Sequence, residues 1–110
     1  MALTDQTCVP CQGGIPPLTK DQIQPYLSQI NSSWQVIDNT KLIRNFSFKD
    51  FTQAVKFINQ VADIAEKENH HPNIHLTNWN QVQLKLYTHK INGLHQNDFI
   101  LAAKINQIIL

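Results

Sequence analysis

Cysteine is scarce in this chain, and where it occurs it builds no framework. Only Cys8 and Cys11 are present in 110 residues. Their spacing suits redox chemistry or half of a zinc site, but no second pair exists to complete four ligands. The simplest reading is two reduced thiols in a terminal arm. Three glycines supply neither a glycine-rich phosphate loop nor a dinucleotide fingerprint, and there is no serine nucleophile elbow. Charge of one sign is also missing. Nine Lys and Arg against eight Asp and Glu leave a formal net charge of +1, with no excess positive field to hold a polyphosphate backbone, so direct nucleic-acid binding is not expected. No apolar run approaches membrane-spanning length, and residues 1–7 carry neither the basic segment nor the apolar core of a secretory signal. These absences point to a soluble, cytoplasmic protein with no membrane partner.

What remains is the composition of one globular domain, 42% apolar and 15% charged, long enough to bury about 60% of the surface its unfolded chain exposes. Residues 1–18 hold Gly13, Gly14, Pro16 and Pro17 without a sustained hydrophobic period, and read as an irregular arm. The domain is expected over 19–110. Thr19 with Gln22 forms a capping-box pattern ahead of Ile23, Leu27 and Ile30, which predicts a short helix ending near Asn31. Pro25 lies near its amino end, where a missing N–H costs least. Two β-prone runs, 34–37 and 42–48, flank the polar break Asp38-Asn39-Thr40-Lys41 and suggest a hairpin. Arg44 shares a face with Leu42, Phe46 and Phe48, which obscures the buried side.

From about 49 to 69 the period becomes helical, with Phe51, Ala54, Val55, Ile58, Ala62 and Ala65 three or four apart and Phe57, Val61 and Ile64 widening the stripe. Ser47 or Asp50 can cap its start, and Pro72 marks its end. Two further strands follow over 73–79 and 81–89, the second alternating Val82, Leu84 and Leu86 against Gln83, Lys85, Tyr87 and His89. After Asn92-Gly93, a last helix starts near Asn97, with Phe99, Ala102, Ala103 and Ile105 inside and Ile108, Ile109 and Leu110 at its end. The order α-β-β-α-β-β-α, with hairpins joining paired strands, predicts an α+β fold: a four-stranded antiparallel sheet with three helices on one face.

All five histidines, His70, His71, His75, His89 and His95, fall after residue 69. If the long helix reaches His70, Glu66 lies one turn back and can accept a hydrogen bond from its imidazole. His71, directly before Pro72, is biased toward an extended conformation and points elsewhere. His89 stands at the end of the alternating strand, so three imidazoles could line one pocket and supply an acid and a base near neutral pH. Two other readings stay open on the residues alone. The histidines could be surface groups at a helix end, favoured by its dipole. Alternatively His71 with His75, or His70 and His71 with His89, could ligate zinc, although no His-Glu-x-x-His pattern is present.

The sequence Glu66-x-x-x-His70-His71-Pro72, followed by Trp79, His89 and Asp98, resembles the signature of the pterin-4a-carbinolamine dehydratases. The arm, Cys8-Val9-Pro10-Cys11-Gln12-Gly13-Gly14 and then Pro17-Leu18-Thr19, resembles a subset of that family. The resemblance implies a cofactor-free, metal-free dehydration of 4a-hydroxytetrahydropterin to quinonoid dihydropterin, in the recycling of the tetrahydropterin that aromatic amino acid hydroxylases use. It assigns His70, His71 and His89 as acid and base residues, with His71 mattering most. Glu66 would orient His70. Trp79 would wall the pocket or stack on the flat pterin, with Pro72 beside it on the substrate side. Asp98 would hold His89 or the loop before it. A homodimer or homotetramer is implied, with a hydroxylase as a pathway neighbour. The alternative from the same resemblance is a non-enzymatic dimerisation cofactor or assembly factor. His75 and His95 match no motif position and read as surface residues. His95 also stands where a Ser or Thr helix cap would be expected.

Overall fold

The two hairpins turn on residues that tolerate the left-handed region. In a computed structural model of the chain, which describes residues 2–9 and 13–108, Asp38 and Asn39 have φ of 52° and 58°, and Asn78 and Trp79 have φ of 48° and 55°. Successive positive φ values give the turn whose twist matches a two-stranded ribbon. The first turn joins β1 (Gln35–Ile37) to β2 (Lys41–Ser47), and the second joins β3 (Asn73–Thr77) to β4 (Gln81–Leu86). The sheet runs in the order β1-β2-β4-β3 with every pair antiparallel. The two hairpins meet where Leu42 pairs with Leu86 and Phe46 with Val82.

The alternation of β4 resolves the ambiguity of β2. Val82, Leu84 and Leu86 are buried, together with Leu42 and Phe46 opposite them. Arg44 shares that face by laying its guanidinium over the Phe46 ring, 4.7 Å from the centroid, and donating to Asn106 Oδ1 at 2.8 Å. The apolar stem packs while the charged head finds an acceptor. On the opposite face, Gln83 donates to Asn45 and Gln81 to Ser47.

Three helices cover the apolar face: α1 (Lys20–Leu27), α2 (Phe51–Glu68) and α3 (Gln96–Gln107). The Thr19–Gln22 capping box forms, and Asp50 caps α2 by accepting from Gln53 N–H at 2.8 Å. Helix α1 stops earlier than the sequence period suggested. The buried stripe of α2 runs through Ala54, Phe57, Val61, Ala65 and Glu68, while Phe51 and Ala62 face outward. Thus the stripe is rotated from the one drawn through 51, 58 and 62. Helix α3 buries nearly every side, from Asn97 to Ala103 and Ile105, which marks it as the central helix rather than an amphipathic cover. Of its expected apolar end, Ile109 and Leu110 lie outside the described residues.

The amino-terminal arm supplies part of the cover over α3. Its described residues are irregular apart from a 3-10 turn at Leu3–Asp5, and Leu3 joins the core at 3% exposure. Among the described residues, no helix is long and apolar enough to cross a membrane.

Candidate active site

Helix α2 ends where the motif begins. Asn69 adopts φ 53° and ψ 40° and closes the helix with N–H bonds back to Ala65 and Glu66 carbonyls. Asparagine is among the few residues that accept this left-handed geometry readily. The chain therefore leaves the helical path before His70, and the predicted pairing of Glu66 with His70 does not form. Glu66 Oε2 instead pairs with His71 Nε2, five positions on. His70 Nε2 points across to Asp98 Oδ1 at 2.6 Å.

Asp98 is the most heavily engaged side chain of the region. It is fully buried, and its Oδ2 accepts from Thr88 Oγ1 at 2.9 Å and from the His95 backbone N–H at 3.0 Å. The last bond is the reach-back of a first-turn carboxylate to the residue that caps its helix. His95 serves as that cap, its Nδ1 accepting from Asn97 N–H at 3.0 Å. An imidazole thus does the work expected of a hydroxyl, and accepting at Nδ1 places its own proton on Nε2. Asp98 thus bonds to Thr88, the residue before His89, and its direct imidazole partner is His70.

His89 sits beyond the end of β4, not on it. The strand stops at Leu86, and Thr88 exchanges backbone hydrogen bonds with Gly93, N–H to carbonyl at 2.8 Å and 3.4 Å. This small loop sends His89 into a 3-10 turn over His89–Ile91, its ring 4.2 Å from that of Tyr87. His70, His71 and His89 line one cleft with Asn69, Thr88, Lys90, Asn97 and Val9, a space of about 330 Å³. That volume is at the lower end of small-molecule sites.

Trp79 and Pro72 do not line this cleft. Trp79 occupies the tip of the β3–β4 turn, 60% exposed, whereas the cleft lies at the other end of the hairpin. The length of β3 alone separates them by roughly 13 Å at about 3.3 Å per residue. Pro72, half-buried, leads the chain from His71 into β3. His75 is exposed on β3, as expected of a surface residue.

Sequence reasoning passed over Thr88, Asn97, Glu68 and the arm. Glu68 continues the 61-65 spacing of the α2 stripe, and a carboxylate at a stripe position is a signal that it is buried and paired. It is buried; Lys104 Nζ donates to it at 2.8 Å and Cys8 N–H at 2.9 Å. Burial alone would raise this carboxyl, but the hydrogen bonds from Lys104 and Cys8 outweigh it and hold Glu68 below the usual carboxylate range. Burial and the adjacent Glu68 charge push the Cys8 thiol up to about 12, leaving it protonated and unreactive at neutral pH. Cys8 is a free thiol; Cys11 lies outside the described residues. Among those residues no three His, Cys, Asp or Glu side chains converge as a metal-ligand set.

The pterin 4 alpha carbinolamine dehydratase family matches residues 16–108. A relative from Alkaliphilus metalliredigens is 44% identical over 105 residues, covering 96% of this chain and 94% of its own. One from Rickettsia canadensis is 45% identical over 107 residues, covering 97% of each. Both carry the name "Putative pterin-4-alpha-carbinolamine dehydratase". A crystal structure of a transcriptional coactivator/pterin dehydratase from Brucella melitensis superposes with a TM-score of 0.76 at 36% identity, over 84% of this chain and 97% of that one. A pterin dehydratase-like protein described as a RuBisCO assembly factor in the alpha-carboxysome gives a TM-score of 0.59 at 21% identity, over 71% and 90% of the two chains, and shows the shared fold alone. With the family matched over nearly the whole domain and relatives above 40% identity along the full chain, this chain belongs to the pterin-4a-carbinolamine dehydratase family.

Proposed function

We propose that the protein dehydrates 4a-hydroxytetrahydropterin to quinonoid dihydropterin by general acid and base catalysis from His70, His71 and His89. The observation that carries this reading is the cleft itself: three imidazoles from two separate segments face one space, two of them backed by carboxylates. Loss of the 4a-hydroxyl requires one proton delivered to the departing oxygen and one removed from N5, with the N5 electron pair closing the C4a–N5 double bond. One imidazolium gives the first proton and a second imidazole takes the other, so the set returns with its proton count unchanged.

Asp98 accepts the Nε2 proton of His70, which leaves the Nδ1 lone pair available and fixes the ring orientation. Glu66 does the same for His71 from a solvent-facing position. Asn69, Lys90 and Thr88 offer polar contacts to the edges of a heteroaromatic ring. No cofactor enters the scheme. The reaction belongs to tetrahydropterin recycling beside an aromatic amino acid hydroxylase, in the cytoplasm. The protein acts as a homodimer or homotetramer, with the outward-facing Phe51 and its neighbours on α2 as the contact; a monomer by light scattering would count against this.

The test is the rate of quinonoid dihydropterin formation from synthetic 4a-hydroxytetrahydropterin, with wild type compared to His71→Ala. Acceleration by wild type that His71→Ala abolishes is the expected result. A folded wild type that gives no acceleration overturns the reading in favour of a binding-only relative, a role for which the RuBisCO assembly factor provides a precedent on this fold.

A further inference from the structure

The cleft has one wall that the histidine motif does not account for. Of the described residues whose side chains line it, seven are polar, and the one aliphatic group is Val9. Val9 belongs to the amino-terminal arm, and a side-chain clamp sets its position. The Asn97 carboxamide accepts from Val9 N–H at 3.0 Å and donates to Val9 C=O at 2.7 Å, satisfying both backbone groups of one residue as a neighbouring strand would. Asn97 is 2% exposed. It is held in turn by the first turn of α3, where its own N–H reaches His95 Nδ1 and the next residue is Asp98. One residue earlier, Cys8 N–H is tied to the buried Glu68–Lys104 pair and Cys8 Sγ lies 3.6 Å from Asn97 C=O. Two consecutive arm residues are therefore fixed to the elements that position the catalytic imidazoles.

We infer that the arm is a working wall of the cleft, with Val9 as the apolar contact for the face of the bound heteroaromatic ring and Asn97 as the positioning residue that holds Val9 there. The inference rests on the dehydratase reading. A flat heterocycle presents hydrogen-bonding edges and apolar faces; the polar lining serves the edges, and among the described residues Val9 is the only aliphatic side chain lining the cleft for a face. Val9 touches no proton in transit, so its contact acts on the ground state and transition state alike and belongs in KM rather than kcat.

The experiment is steady-state kinetics on the full chain with 4a-hydroxytetrahydropterin, for Val9→Gly, Asn97→Ala and the double variant. Backbone amide exchange at Val9 is followed in parallel. Val9 is 55% exposed, so its truncation leaves the fold intact. Val9→Gly is expected to raise KM about three- to tenfold with kcat within about twofold of wild type, the effect of removing one partly buried aliphatic contact. Asn97→Ala should raise KM by a similar factor, and the double variant should show little more than either single change, because both remove the same contact. The Val9 amide, slow to exchange in wild type, should become fast in Asn97→Ala. An active wild type whose KM is unchanged in Val9→Gly, or single effects that multiply in the double variant, would overturn the inference alone. An inactive wild type overturns the dehydratase reading and this inference with it. Should Asn97→Ala fail to fold, the Val9→Gly KM still decides.

Discussion

His70 and His71 share a peptide bond yet occupy opposite environments. The first has 12% of its side chain exposed and faces a carboxylate with none exposed, while the second has 55% exposed and faces a carboxylate with 76%. The difference begins at Asn69, whose left-handed turn aims successive residues in different directions. Asp98 ties His70 to Thr88 and to the cap of α3, so fold and site share one buried network. Among the described residues, Glu66 and His71 are held by no third group, and both remain in contact with solvent. The buried imidazole and the exposed one come from adjacent positions.

The contrast can be broken from either side. The largest effect on rate is expected from His71→Ala, which should lower kcat by about 10²–10⁴-fold, the usual contribution of a positioned acid or base. Its melting temperature should match wild type, since the side chain supports nothing else. A large loss of stability would show that the exposed histidine is structural after all.

Asp98→Asn should act on both measures. An amide cannot accept everywhere that the carboxylate does, and the His95 N–H or the His70 ring loses its partner in the interior. Chemical denaturation should show a loss of about 2–4 kcal/mol, and kcat should fall by about 10²-fold through misorientation of His70. A variant as stable as wild type would erase the distinction drawn between the two histidines.

The second buried carboxylate sharpens the comparison through pH. Because Glu68 is held below the usual carboxylate range in the fold, its contribution is present above its unfolded pKa. It is lost as pH falls through the folded one. On acidification below the ordinary carboxylate value of about 4.3, the arm should release first, seen as faster exchange of the Cys8 amide before global unfolding. Lys104→Met should move that release to higher pH. Exchange at Cys8 that tracks global unfolding at every pH would refute a separately anchored arm.

The smallest effect is expected from Glu66→Gln. Exposed pairs of this kind contribute little to stability, so the melting temperature should hold and kcat should fall less than about fivefold, measured in the same assay. A loss as deep as that of Asp98→Asn would mean that the exposed pair is as ordered as the buried one.

Local signals made much of the fold legible. The Thr19–Gln22 box, the Asp50 cap and the alternation of β4 are short-range patterns whose energetics lie within a few residues, and each forms as its pattern indicates. The α2 stripe was harder to place, since apolar residues lie all around that helix and only packing selects 54, 57, 61 and 65 as the buried set. Trp79 shows the limit of motif spacing. Its place in the chain relative to His71 and His89 does not reveal that a hairpin carries it to the far end of the sheet.

Sequence alone determined the element order, the hairpin turns and the three histidines of the family motif, because these depend on periodicity, backbone preference and residue identity. Tertiary structure decided the partners. Which carboxylate meets which imidazole depends on where one left-handed residue sends the chain, and a difference of one position separates a buried pair from an exposed one. That Val9 of the arm lines the cleft was likewise invisible in its composition, since the amide that holds it lies some ninety residues away in the chain.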